Sequence, residues 1–361
     1  MRLITPLFKH IVYPGLSKTG YLRHRADPGP AVVTYHGILP EGYNVIDPVF
    51  DGNLVSVDSF RRQLRLLKNR YHLLSPPDFL QWIETGDDLP PRAVLLTCDD
   101  GLQNSLDMLP PLQEEGASCL FFVTGASPAA APTMLWYEEL FLMLLAAPAE
   151  SAVELPEIGV CARPASRQEQ RLLWQKLILE LSHFEHKNRR MLLETMRVQL
   201  KLSEQWSAKY STDPVLRRRF ALLTQPELRQ LSHSGMTIGA HTVSHPVLSQ
   251  CSRELAWSEI SENKHSLEQS LGQEVWALAY PFGDSASVTS RELQISEQVR
   301  FTCAFLNVSG HLPDASAFAL PRINITGEMT LAEFEAHVSG FHRSMHRLFK
   351  RENTDALGAS A

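Results

Sequence analysis

Apolar residues along this chain fall into short unbroken runs that alternate with stretches of helical spacing. Residues 31–38, AVVTYHGI, are β-branched and aromatic and follow a Pro/Gly-rich lead-in, which predicts a strand. Asp58 is suited to cap a helix in which Phe60, Leu64 and Leu67 recur on one face. A short extended piece at 71–74 and a second helix at 77–84 follow. The run AVLLT at 93–97 lies between Pro90-Pro91 and Asp99-Asp100-Gly101. It reads as a strand buried on both faces, as in a parallel sheet. A helix is expected over 105–115 and a further buried strand over 118–124, SCLFFVT. Strands and helices taking turns in this way predict an α/β fold.

The pattern changes near Ala126. Residues 131–222 carry helical periodicity with one short strand expected at 151–155, and are too apolar for a flexible tether. They read as a mainly helical insertion. Trp136, Trp174 and Trp206 fall within it at helical spacing and are expected in its core. Alternation then resumes. Thr224 with Glu227 forms a capping-box pattern, and a strand at 237–240 ends at His241. A helix is expected at 253–271. A strand at 275–280 runs into Pro281-Phe282-Gly283-Asp284, and strands at 301–305 and 320–325 and a helix at 331–346 close the domain. This divides the chain into an N-terminal segment (1–30), a catalytic domain (31–345) and a frayed tail (346–361).

The length, 361 residues, exceeds an average domain but suits a single α/β barrel, and an apolar content of 44% supports a large core. The formal net charge of −6 disfavours nucleic acid as a partner. The run Arg217-Arg218-Arg219 reads as a solvated helix face. Five cysteines, none in C-x-x-C spacing, argue against a disulfide framework or a cysteine zinc site. The N-terminus lacks a continuous apolar core of a signal peptide, and no run reaches the roughly 18 apolar residues of a membrane span. A soluble, cytoplasmic protein is expected, with peripheral membrane contact through the N-terminal segment left open.

Three sites along the chain could carry chemistry. Asp99 and Asp100 are adjacent carboxylates at the end of a buried strand, costly there unless paired or metal-bound. Taken alone, Asp-Asp-Gly is more readily an acidic turn or a cap for the next helix. His241 and His245, in HTVSH, have i, i+4 spacing and would share one face if the segment wound into a helical turn. One carboxylate and two histidines from two strand ends would make an open metal site suited to zinc, iron or cobalt, with positions free for water and substrate. Tyr35-His36-Gly37 and Tyr280-Pro281-Phe282-Gly283 each follow a strand, and singly carry little.

Taken together, TCDDG (97–101), GAHTVSH (239–245), AYPFG (279–283) and LPRI (320–323) resemble the polysaccharide deacetylase family, carbohydrate esterase family four, which includes chitin-oligomer and peptidoglycan deacetylases. The resemblance covers about 31–125 and 222–345 and leaves the helical insertion unexplained. It implies a distorted (β/α) barrel with about seven strands. It also implies a divalent metal, zinc first, with cobalt, iron, nickel or manganese as alternatives, held by Asp100, His241 and His245. Asp99 matches the general base. Tyr280, Pro281, Phe282 and Gly283 match the loop that lines the substrate groove and offers backbone N–H groups to an oxyanion.

The late histidines (His337, His342, His346) lie in a helical context, whereas Tyr35-His36 resembles the early Tyr-His motif of exported biofilm-polysaccharide deacetylases; the resemblance thus places the general acid at His36. The arginine that orients the base in many members is missing before Tyr280, and Arg322 is expected to replace it, with a structural arginine as the alternative. Asp284 supports a histidine or caps a turn. Position 98 is Cys where the family usually has Phe. The implied reaction is metal-dependent removal of acetyl groups from N-acetylated sugars of a polysaccharide or glycan precursor. An O-acetyl esterase, a non-sugar amidase and an inactive glycan-binding relative are the alternatives, and neither the sugar nor the oligomeric state follows from the sequence.

Overall fold

The computed structural model describes residues 5–24, 29–125, 134–148, 151–310, 312 and 316–345. Ten strands are present among the described residues: β1 Ala31–Tyr35, β2 His72–Leu74, β3 Ala93–Cys98, β4 Leu120–Val123, β5 Val153–Leu155, β6 Val160–Ala162, β7 Thr237–Ala240, β8 Ala277–Ala279, β9 Cys303–Phe305 and β10 Ile323–Asn324. Seven of them form a path in the order β10-β1-β3-β4-β7-β8-β9, with β2 attached to the first half of β3. Every pairing in this sheet is parallel. The path curls round on itself. A parallel bridge joins Phe305 to Leu320, and the chain runs from there into β10, which pairs with β1. The result is the distorted barrel of about seven strands that the motifs imply.

Both faces of the strands are apolar, but they pack against different partners. Val32, Leu95, Phe122, Ala277, Ala279 and Phe305 meet inside the barrel with Phe79. Val33, Val94, Leu96, Phe121, Ile238 and Leu278 face outward onto the helices, as in Val57–Arg70 and Arg253–Leu271. Alternate positions on a strand share a face. The inward series Val32-Thr34-His36 and Leu95-Thr97-Asp99 therefore turn polar toward the C-terminal ends of the strands. Gly239 and His241 share the inward parity of β7. At Gly239 a Cβ would lie 2.5 Å from the Phe122 ring, so the close packing of β4 and β7 there requires glycine.

Several local expectations shift. Ser56 caps the helix Val57–Arg70 by accepting from the Ser59 amide, and Asp58 sits in its first turn. The element at 105–115 is a 3-10 turn, Gln103–Met108, followed by a short helix, Leu109–Glu115, that begins at Pro110-Pro111. The capping box at Thr224 forms, with Glu227 accepting from the Thr224 amide at 2.8 Å. The last predicted helix is interrupted: Leu331–Val338 is followed by a turn at 339–340, and helical residues resume at 341–345. In the N-terminal segment residues 5–24 are mainly helical, and Tyr13 and Leu22 pack on Phe341 near the end of the domain. The tail and His346 lie outside the described residues.

The insertion contains the helices Trp136–Ala146, Arg167–Leu181, His186–Gln199 and Pro214–Phe220. The single strand expected at 151–155 is half of an antiparallel hairpin, β5 with β6. Leu140, Val153, Leu177, Leu193 and Met196 give the insertion a core of its own. Arg219 corrects the reading of the basic run. It is buried rather than solvated, paired with Asp51 at 3.0 Å and with Glu138 at 2.8 Å. No helix among the described residues is long and apolar enough to cross a membrane. The five cysteines are all free.

Candidate active site

Asp99 ends the inward face of β3 and meets Arg322, which comes in just before β10. The pair is bidentate, with Nη1 to Oδ1 and Nη2 to Oδ2 both at 2.6 Å. Thr34 accepts from Nη1 at 3.1 Å, the Leu306 carbonyl accepts from Nε at 3.0 Å, and the guanidinium lies 5.5 Å above the Phe122 ring. Both residues are buried. Burial pushes the Asp99 carboxyl upward, but the Arg322 charge, helped by His241, outweighs it and holds the group below the usual carboxylate range. Asp99 is thus fixed as a carboxylate; Oδ1 also accepts from the Thr34 hydroxyl at 3.4 Å, and Oδ2 still has a lone pair to offer. Of the two readings of Arg322, the geometry favours the partner of Asp99.

Asp100 turns the other way. Its backbone is left-handed, with φ of 76°, and one carboxylate oxygen faces His241 Nε2 at 3.5 Å and His245 Nε2 at 3.3 Å. One ligand atom from each of the three lies within 4.8 Å of the others. The two histidines do not share a helix face as their spacing suggests. Residues 241–245 form an irregular turn in which Thr242 (φ 67°) and His245 (φ 56°) are left-handed. For a β-branched residue such as Thr242 this is a genuine outlier. Among the described residues seven non-glycines have positive φ, and four of them are Asp100, Thr242, His245 and Phe282. Backbone strain gathered in one place in this way points to a functional site.

The surroundings hold this geometry. His241 Nδ1 lies 2.7 Å from the Ala279 carbonyl, which can only accept; the proton therefore belongs on Nδ1 and the Nε2 lone pair is free. Asn263 accepts from the His241 amide at 2.8 Å and donates to the Gly125 carbonyl at 2.7 Å. Burial holds the His245 imidazole below its usual range, against the pull of Asp100, so it is neutral and able to ligate. Burial pushes Asp100 upward, but the His241 and His245 imidazoles facing its carboxylate hold it well below the carboxylate range. Two imidazoles and one carboxylate, converging with the Nδ1 atoms directed elsewhere, fit a divalent metal such as zinc.

These residues open into a cavity of about 280 Å³, which His36 and Phe282 also line. His36 Nδ1 is buried with no hydrogen-bond partner. The loop Tyr280–Gly283 proves narrower in what it offers than its sequence suggests. The Tyr280 hydroxyl turns into the core, toward Ser296 at 2.9 Å and the Phe318 carbonyl, and its amide donates to Phe305. Pro281 has no N–H, and the Gly283 amide donates to the Pro281 carbonyl. The Phe282 amide is what the loop has left to offer. Asp284 caps the turn that follows, accepting from the Ala286 and Ser287 amides at 3.0 and 2.8 Å.

Residues 201–304 match the polysaccharide deacetylase family. The match takes in His241, His245 and the loop Tyr280–Gly283, while Asp99 and Asp100 precede it. No curated protein matches the chain significantly. Solved deacetylase structures share the fold. The deacetylase PplD of Streptococcus pyogenes, in complex with acetate, superposes with a TM-score of 0.53 at 19% identity, over 87% of this chain and 99% of that one. IcaB from Ammonifex degensii gives 0.51 at 16%, over 87% and 98%. A de-N-acetylase from Aggregatibacter actinomycetemcomitans gives 0.50 at 13%, over 85% and 99%.

Sequence reading missed the other wall of the cavity, made by Phe50, Tyr137, Glu138, Trp174 and Arg219. Trp174, expected in the core, is half-buried there. Burial raises the Glu138 carboxyl to about 7, with Arg219 opposing the shift and Asp100 and Asp51 adding to it. The one signal in the sequence was the unusual density of charge at Glu138-Glu139 and Arg217-Arg218-Arg219, which the helical context made look like solvent-facing surface.

Proposed function

We propose that the protein is a metal-dependent N-deacetylase, removing acetyl groups from N-acetylated sugars of a polysaccharide or glycan precursor. The observation that carries this reading is the division of labour between neighbouring carboxylates. Both line one cavity, where Asp100 is turned toward two histidines and Asp99 toward the buried Arg322 behind it. The family match and the fold shared with a de-N-acetylase support the acetyl amide as the bond.

Asp100, His241 and His245 would hold the metal ion, which would supply polarisation of the acetyl carbonyl and acidification of water. Asp99, kept ionised by Arg322, takes the proton from the attacking water. The Phe282 amide, which the loop leaves without a protein partner among the described residues, would donate to the carbonyl oxygen as negative charge develops there. His36, whose Nδ1 has no protein partner, delivers a proton to the departing nitrogen. Water is consumed, and acetate and a free amino sugar leave.

Acetate release from N-acetylglucosamine oligomers, with metal content measured on the same sample before and after chelation, tests this. Chelator-sensitive release restored by Zn²⁺ or Co²⁺ is expected. A metal-loaded sample that releases no acetate from these sugars would sink the reading, and O-acetyl esters and non-sugar amides would then be tried.

A further inference from the structure

The helical insertion contributes a polar group to the cavity that the chemistry above does not use. Glu138, in the first turn of the helix Trp136–Ala146, lines the cavity and is 4% exposed. Its Oε1 accepts from Arg219 Nη1 at 2.8 Å, and Arg219 Nε donates to Asp51 at 3.0 Å. Its Oε2 is buried with no hydrogen-bond partner. An unpaired buried oxygen is costly, and native structures retain one mostly where something else completes it.

The chemistry of the wall limits what that partner is. Arg219 already supplies the local positive charge and lies 4.5 Å over the Phe220 ring, so a second cation would meet it at close quarters. Trp174 has spent its indole N–H on the Tyr137 carbonyl at 2.7 Å. What remains on this wall is an apolar ring surface and the Tyr137 hydroxyl beside one buried oxygen acceptor without a partner. That pairing is complementary to a pyranose, with its C–H faces and its hydroxyl donors, and a cavity of about 280 Å³ has the scale of a single ring rather than of a chain.

We infer that Glu138 is the specificity residue of the site, its Oε2 accepting a hydrogen bond from a ring hydroxyl of the sugar whose acetamide is cleaved. The barrel then reads the acetyl group and the insertion reads the sugar. This rests on the deacetylase reading.

The test compares the intact wild-type protein with E138Q, which keeps an oxygen for Arg219 and puts an NH₂ donor in place of Oε2. The substrates are N-acetylglucosamine oligomers, their 3-, 4- and 6-monodeoxy counterparts, and an aryl acetate that has no hydroxyl. The ratio of kcat/KM for the glycan to that for the aryl ester falls roughly 10- to 100-fold in E138Q, the scale expected for one lost hydrogen bond in a buried site. One deoxy sugar loses a similar factor with the wild-type protein and loses nothing further with E138Q.

The inference is overturned if E138Q lowers both substrates in proportion, because that would mark a structural role. It is also overturned if no deoxy sugar is discriminated by the wild-type protein, a result that does not depend on the variant folding. A wild-type protein that cleaves the aryl ester but no N-acetylated sugar would overturn this inference together with the reading beneath it.

Discussion

The two walls of the cavity are built on different principles. On the barrel wall each functional side chain sits at a strand end and is held by residues close by in the fold. Asp99 follows β3, His36 follows β1, His241 follows β7, and their orientation comes from strand parity. On the insertion wall nothing is set by parity. Glu138, Arg219 and Asp51 come from separate stretches of chain and hold one another as a buried ion cluster. The barrel wall carries the groups we propose break a bond, while the insertion wall carries a carboxyl and aromatic rings suited to hold a ligand. A common barrel can thus keep its chemistry while the segment folded across it changes what is presented to that chemistry.

The sharpest break falls on the barrel wall. Replacing His241 or Asp100 by Ala should remove bound metal and reduce acetate release by more than about 10³-fold, since the metal supplies both carbonyl polarisation and water acidification. Metal analysis alongside activity checks it, and a variant that keeps full metal content would show that the cluster is not the metal site. Asp99→Asn separates the neighbouring carboxylates. Turnover should fall about 10³-fold, the range of a lost general base, while metal content stays at the wild-type level. Wild-type turnover in that variant would end the assignment of Asp99 as base.

The difference between the walls also explains what the sequence revealed. The barrel half was legible because each of its catalytic candidates follows a short buried apolar run, and such runs mark strand ends. The adjacent Asp99-Asp100 and the HTVSH segment stood out against that background. The route by which the histidines meet was not legible. Their i, i+4 spacing suggested a helical turn, and they converge instead through left-handed residues at Thr242 and His245, a conformation that propensity disfavours. The insertion wall was illegible for a different reason. Arg219 reaches across 168 residues to Asp51 and 81 to Glu138, and no local pattern encodes such pairings. An arginine in a run of three looks solvated until its partners are known.

The walls are mechanically joined, and that junction gives a smaller effect. Arg189, in the insertion helix His186–Gln199, is fully buried and donates to Ser244 Oγ at 2.8 Å and to the carbonyls of Leu181 and Phe184. Ser244 sits between the two histidine candidates and its amide donates to Glu259 at 2.7 Å. Trp136, under the Arg189 guanidinium, donates to the His245 carbonyl at 3.3 Å. The insertion therefore braces the turn that brings His245 to Asp100. Arg189→Ala should weaken metal affinity about 10- to 100-fold, as losses among the groups that orient ligands do. Arg189→Lys should recover little of it, because an ammonium cannot span three acceptors in the guanidinium's planar arrangement. Titration against a chelating dye measures both, and an unchanged affinity in Arg189→Ala would mean that the two walls merely touch.

The smallest effect expected is on the barrel wall itself, at Asp284. It directly follows the loop that offers the Phe282 amide, a position from which a carboxylate could support a histidine. The structure instead gives it local work. Its Oδ1 accepts from the Ala286 amide, the Ser287 amide and the Ser287 hydroxyl, the last at 2.6 Å, so it closes the turn leading toward the helix Ser290–Gln298. Asp284 is exposed, and the loss of such a turn cap costs about 1 kcal/mol. Asp284→Ala should therefore lower the thermal midpoint by a few degrees and leave kcat within about twofold of the wild type. A tenfold fall in kcat with no change in the midpoint would contradict this. Asp284 would then belong with the bond-breaking groups, and the barrel wall would hold one more of them than its hydrogen bonds imply.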